Sequence, residues 1–156
     1  DLRTKIERIE RDTVDEFNDH METVLEMLDY DNLDRIWLER REREVTKGRR
    51  TVTKTAFDLH VVRTTESGTA YEDTVDHLSE SEREITGLVL ALAGFLAHKV
   101  YEDVPFILLD SLEAVDSDRI AKLVDYVSEY AEYLVVALLT EDARAVDDDH
   151  RRITEI

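Results

Sequence analysis

The 156-residue sequence contains no cysteine, which excludes disulfide staples and thiolate metal sites. It contains no GxxxxGK[ST] run, so it carries no phosphate-cradling loop or P-loop lysine of its own. The most apolar segment, Ile85 to Ala97, is 13 residues between Glu84 and His98-Lys99, short of the roughly 20 that span a bilayer. It reads as a buried helix. One proline and four glycines form no linker, which leaves one compact unit. No charged segment leads into a secretory-type apolar run, so a cytoplasmic location away from membranes is expected. His20, His60, His77, His98 and His150 show no metal-ligand spacing, and the stretch from Asp29 to Arg40 lacks the glycine and terminal glutamate of an EF-hand.

Lysine is scarce as well: Lys5, Lys47, Lys54, Lys99 and Lys122 stand beside 15 arginines. Against 20 basic residues there are 38 acidic ones, spread along the chain rather than blocked at one end, for a net charge of −18. Such a charge swells a domain by self-repulsion in dilute buffer, whereas molar salt shortens the Debye length to about 3 Å and removes most of the penalty. The composition therefore predicts a protein that works in a high-salt cytoplasm.

The chain opens without Met in a helical pattern, Leu2, Ile6, Ile9, then Val14, Phe17, Met21, Val24 and Leu28, spaced by threes and fours. The start predicts a fragment of a longer chain. The phase slips once, between Ile9 and Val14, as it would where a coiled-coil arm merges into a globular head; a plain amphipathic helix is the other reading. After Tyr30-Asp31-Asn32, the runs Ile36-Trp37-Leu38 and Phe57 to Val62 read as strands. Between them lies the one basic cluster, Arg40, Arg41, Arg43, Lys47, Arg49 and Arg50. It is either a solvated hairpin tip or a contact to a nucleic-acid phosphate backbone.

From residue 78 the order is helix, strand, helix, strand, which predicts an α/β fold with crossover helices. Ile120, Leu123, Val124 and Val127 mark one helix, with Asp116 or Ser117 as N-cap. Phe106 to Leu109 and Leu134 to Leu139 are continuous apolar runs, as expected for strands covered on both faces.

Three short patterns carry the chemistry. Leu78-Ser79-Glu80-Ser81-Glu82 opens the buried helix, and Ser79 with Glu82 has capping-box spacing. Phe106-Ile107-Leu108-Leu109-Asp110 puts a hard carboxylate at a strand's carboxyl end, where ligands bind in open α/β sheets and where Mg2+ is suited. Ala114-Val115-Asp116-Ser117 begins the next helix. In order and spacing these resemble the "LSGG" signature, the Walker B strand and the D-loop of ABC-type ATPases. The phrases LSESEREITGLVLALAGFLAH and PFILLDSLEAVDSDRIAKLVDY resemble the SMC branch, and within it the archaea-specific SMC-related proteins of haloarchaea.

The resemblance implies the C-terminal lobe of an ABC/SMC-type ATPase head: a coiled-coil base helix over 1–30, a small β lobe over 31–77, and an α/β lobe over 78–156. It implies ATP and Mg2+ in the complete head, an N-terminal P-loop half of the same protein as partner, a second head in a nucleotide-sandwiched homodimer, and DNA clamped by the intact protein in chromosome segregation or repair. Ser79 would touch the γ-phosphate held by the opposite head, with Leu78, Glu80, Ser81 and Glu82 around it. Asp110 would serve the metal, and Asp116 would contact the partner head.

The departures are specific. Ser111 stands where the family has the glutamate that positions the attacking water, which leaves Glu113 as candidate base. Glu80 and Ser81 replace the signature glycines, and a carboxylate about 6 Å from phosphate charge costs roughly 3 kcal/mol at an effective dielectric of about 20 before screening. Thr140-Glu141 follows the last strand where many ABC proteins have a switch histidine. These departures motivate an alternative, a non-hydrolysing structural head of a coiled-coil protein. A third reading is an acidic α/β signalling domain unrelated to ATP.

Overall fold

The computed structural model describes residues 1–147 and 149–154; of the lobe expected over 78–156, Asp148, Glu155 and Ile156 lie outside the described residues. The opening periodicity forms one helix, α1, Leu2–Leu28, capped by Asp1, whose side chain accepts from the Arg3 N–H. It stops at Asp29, a left-handed residue whose N–H returns to the Leu25 carbonyl. The phase slip leaves the helix unbroken. It separates a core-packed end, with Val14, Met21, Val24 and Leu28 buried, from a first segment whose Leu2, Ile6 and Ile9 face solvent.

Two 15-residue antiparallel strands follow, β1, Leu33–Lys47, and β2, Arg50–Thr64. Gly48-Arg49 is the two-residue turn between Lys47 and Arg50, with Gly48 at φ 64°, the glycine-first arrangement of a II′ hairpin. The strands run well beyond the apolar runs that mark them in sequence, because Arg40, Arg41 and Arg43 are strand residues held by carboxylates of α1, of β1 itself and of β2. A short strand, β3, Ala70–Asp73, adds to the inner half of β2 with Val61 opposite Asp73.

Helix α2, Glu80–Ala97, contains the apolar run seen in sequence and packs on α1. Gly94 admits the Phe17 ring, since a Cβ there would stand 3.2 Å from it. A single turn, α3, Val100–Asp103, leads to β4, Phe106–Leu109; α4, Ser117–Ser128, then crosses to β5, Tyr133–Val136, parallel to β4. Ile120, Leu123, Val124 and Val127 of α4 are all buried, in one cluster with Met21, Ile36, Val61, Ile85, Val89 and Leu92.

The two parallel strands differ from the sequence reading in two ways. The last one spans 133–136 rather than 134–139; beyond it only the Ala137 N–H still reaches across, to Leu109. Neither strand is covered on both faces. Leu109 is buried and Ile107 half-buried, but Leu108 is 57% exposed and Tyr133 60%, with Phe106 and Val135 bare beside them. The apolar alternation therefore has a second side that the described residues leave exposed.

Candidate nucleotide-facing cap and strand end

The N-terminus of α2 is closed by a complete capping box. Glu82 N–H donates to Ser79 Oγ at 3.3 Å, and Ser79 N–H donates to Glu82 Oε2 at 2.7 Å. Leu78 is buried and anchors the approach, while Ser79 and Glu80 are exposed and Ser81 is half-buried. Because the Ser79 hydroxyl accepts from inside the helix, its own O–H is left to donate outward. The next amides, of Glu80 and Ser81, belong to the first turn and have no intrahelical partner, at the positive end of the helix dipole.

Glu82 is only 5% exposed although charged. Its second oxygen, Oε1, accepts from Arg63 Nη2 at 2.8 Å, and Arg63 Nη1 donates to Asp73 Oδ2 at 3.2 Å. Asp73 Oδ1 in turn accepts from the Thr74 N–H at 2.8 Å and lies 2.7 Å from His77 Nδ1. Burial works against ionisation of Glu82, yet the hydrogen bonds from Ser79 and the Arg63 guanidinium together hold its carboxyl below the ordinary 4.5. Asp73 is likewise held low, first by the Thr74 amide and then by His77, with Arg63 adding to both against its burial.

Asp110 ends β4 and is exposed; its Oδ1 accepts from the Ser111 N–H at 2.8 Å. Ser111 is left-handed, at φ 60°, so the chain turns sharply after the carboxylate. Leu112 and Val115 then plug into the core, and Glu113 between them faces solvent. Asp116 is the N-cap of α4, accepting from the Arg119 N–H at 3.2 Å, and pairs with the Arg119 guanidinium at 2.7 Å; Arg119 also reaches Asp29 at 3.0 Å. Thus Ser117, the other cap expected from sequence, sits inside the helix and donates to Asp142 at 2.7 Å. Glu141 is exposed.

The structure does not tie the two sets together. Among the described residues no hydrogen bond or ion pair joins residues 78–82 to residues 110–116, and no group of three or more His, Asp or Glu side chains is placed to hold a metal ion. Asp110 offers one exposed carboxylate, and Ser79 offers one hydroxyl with two first-turn amides. Each fits one part of a Mg2+-nucleotide: a hard oxygen ligand for the cation and an anion-facing helix start for a phosphate.

The basic cluster divides. Arg40 is bound to Glu10 at 2.8 Å, Arg41 to Glu39 at 2.7 Å and Arg43 to Asp58 at 2.7 Å. Lys47, Arg49 and Arg50, around the turn, are exposed and make no ion pair among the described residues. Sequence reasoning missed Arg63. Its only signal is a charge directly after Val61-Val62, and nothing in the sequence names Glu82, 19 residues on, as its partner.

No protein-family profile matches the chain. It is 59% identical over 152 residues to the Smc-like protein Sph3 of Haloferax volcanii, and 54% identical over 155 residues to the Smc-like protein Sph2 of Halobacterium salinarum. Each match takes in 97% of this chain but 23% of the relative, so the chain spans about a quarter of the length of the curated proteins it resembles. Two solved structures share the fold. One comes from work on ATP-driven dimerisation and DNA-stimulated activation of SMC ATPases, with a TM-score of 0.50 and 16% identity, over 90% of this chain and 78% of that one. The other is the Smc head domain with an extended coiled coil bound to the C-terminal domain of ScpA, from Pyrococcus furiosus, with a TM-score of 0.51 and 15% identity, over 85% of this chain and 30% of that one. Among the described residues no helix is long and apolar enough to cross a membrane. The chain therefore has the mixed α/β fold seen in solved SMC head structures, and along nearly its whole length it is similar to about a quarter of the length of the haloarchaeal Smc-like proteins.

Proposed function

We propose that this segment supplies one half of a composite ATP site in a nucleotide-sandwiched dimer of heads, and that the intact protein uses the site to open and close a clamp on DNA. The observation that carries the reading is the Ser79 cap: its hydroxyl accepts from the Glu82 N–H at an exposed helix start, whose first-turn amides have no intrahelical acceptor. When bound, Mg2+-ATP supplies the charge that bridges two heads. Ser79, Glu80 and Ser81 would hold the phosphate of the nucleotide carried by the opposite head, and Asp110 would hold the cation of this head's own nucleotide. Asp116, already fixed by Arg119, presents its carboxylate at the start of α4 toward the partner head.

The surfaces left open fit the remaining partners. A parallel pair of four-residue strands does not stand alone, and the bare side of β4 and β5, with Phe106, Leu108, Tyr133 and Val135, suits the strands and helices of an N-terminal P-loop half. Leu2, Ile6 and Ile9 follow a four-three spacing on exposed helix, which suits a second coiled-coil strand. Lys47, Arg49 and Arg50, exposed around the hairpin turn and without an ion pair among the described residues, suit a DNA backbone.

The intact protein tests this by light scattering in molar KCl. Mg2+-ATP is expected to double the head mass, and an unchanged mass contradicts the proposal. A second reading, favoured by Ser111 at the position after Asp110, is a head that assembles on nucleotide without turnover. Phosphate release by the intact protein, abolished in Asp110→Asn, rules that second reading out; in that case Glu113, exposed two residues beyond Ser111, is the carboxylate to test as base.

A further inference from the structure

We propose that Arg63 is a positioning residue for the nucleotide-facing cap, through which the three-stranded lobe sets the geometry of Ser79. The inference rests on the composite-site reading above and adds a component that the signature pattern does not contain.

A capping box closes with two hydrogen bonds and is ordinarily a surface device. Here its glutamate is buried, and a guanidinium from another element enters to share it. Arg63 has one terminal nitrogen on Glu82 and the other on Asp73, and its guanidinium is largely buried between them. Basic residues are outnumbered about two to one by carboxylates in this chain, and this one is committed to two of them. Glu82 is thus pinned from both oxygens, one by Ser79 and one by Arg63. Take Arg63 away and Oε1 is left buried without a donor. The carboxylate then takes up a proton or swings out, and the Ser79 N–H and Oγ are no longer fixed by their partners.

The position of Arg63 gives this pin a mechanical consequence. It lies at the inner end of β2, paired with Leu33 on one side and Tyr71 on the other, in the strand whose outer end is Arg50 beside the hairpin turn. A strand from 50 to 63 reaches about 43 Å. Displacement of the hairpin along its length, by whatever its exposed cations hold, acts on Glu82 directly through one side chain.

The test uses the intact protein in molar KCl, comparing wild type with Arg63→Met and Arg63→Lys. Three quantities are read: hydrogen exchange at the Ser79 and Glu82 amides, the ATP concentration that gives half-maximal dimerisation with Mg2+, and the pH dependence of that dimerisation on the acid side. Arg63→Met is expected to speed exchange at Ser79 and to raise the half-maximal ATP concentration by about tenfold, the scale of a charge-assisted hydrogen bond. It should also move the acid limb to higher pH. Arg63→Lys keeps the charge with one head group for two carboxylates, and is expected to shift the same way by about threefold. If Arg63→Lys folds and exchanges faster at Ser79 while half-maximal ATP and the acid limb stay at wild-type values, Arg63 is structural only and the inference fails with the composite site intact. If wild type itself does not dimerise on ATP, the composite-site reading fails and takes this one with it.

Discussion

Ser79→Asp separates the two roles that one residue is asked to play. As a helix cap, aspartate is as good as serine, and Ser79 already has the extended backbone of an N-cap, φ −63° and ψ 168°. The bond it replaces is a long one, 3.3 Å from the Glu82 N–H, so even Ser79→Ala should cost near the low end of the usual range, about 0.5 kcal/mol. Stability of Ser79→Asp should therefore stay within about 0.5 kcal/mol of wild type. Toward a phosphate the same change is severe. It removes the outward O–H and installs a negative charge, which at about 4 Å and an effective dielectric of about 20 repels each unit of phosphate charge by about 4 kcal/mol. Molar salt, with a Debye length of about 3 Å, leaves about 1 kcal/mol of that per charge. With a terminal phosphate near two charges and the missing hydrogen bond added, the ATP needed for dimerisation should rise at least tenfold. The assay is thermal melting and ATP-titrated light scattering on one preparation. A variant that melts like wild type and dimerises at the wild-type ATP concentration would show that Ser79 caps a helix and touches no nucleotide.

The remaining expectations follow from charge. With 38 acidic against 20 basic residues, the melting temperature of the chain should climb steeply as KCl is added, and a flat response removes the high-salt reading. Glu82 and Asp73 have folded-state pKa values depressed below their ordinary ones. The stability they contribute is present above about pH 4 to 5 and disappears as pH falls through the depressed values, so Arg63→Met should flatten the acid limb of a melting-temperature profile. On DNA, changing Lys47, Arg49 and Arg50 to Gln should lower the slope of log affinity against log salt by about 0.9 for each phosphate that these side chains neutralise. The same change at Arg40, Arg41 and Arg43 should move it far less, since those guanidinium groups are held by Glu10, Glu39 and Asp58.

Much of the positional order can be read from residues alone, because its signals are local. The i, i+3, i+4, i+7 run from Ile120 to Val127 is wholly buried, Ser79 and Glu82 form the box their spacing predicts, and Asp110 ends a strand. What the sequence hides is pairing at a distance. Arg40 to Arg43 reads as part of a hairpin tip, yet it is strand, paired with Phe57 to Lys54, with Arg40 held by Glu10 of α1 and Arg43 reaching diagonally to Asp58. The apolar runs of β4 and β5 suggest two covered faces, but a run shows only that both faces are apolar, not that this chain covers them. Arg63 and Glu82 meet through the packing of β2 against the start of α2, which no local pattern encodes.

Mixing two damaged copies asks whether Ser79 and Asp110 act on one triphosphate from two molecules. A copy carrying Ser79→Asp and a copy carrying Asp110→Asn each spoil both sites of their own homodimer, whereas their heterodimer keeps one site with both groups intact. Nucleotide-dependent association should therefore return when the two intact-length variants are combined in Mg2+-ATP and molar KCl, and should stay absent when the double variant is combined with either single one. Equal failure of all the mixtures, with wild type associating normally beside them, would contradict the account.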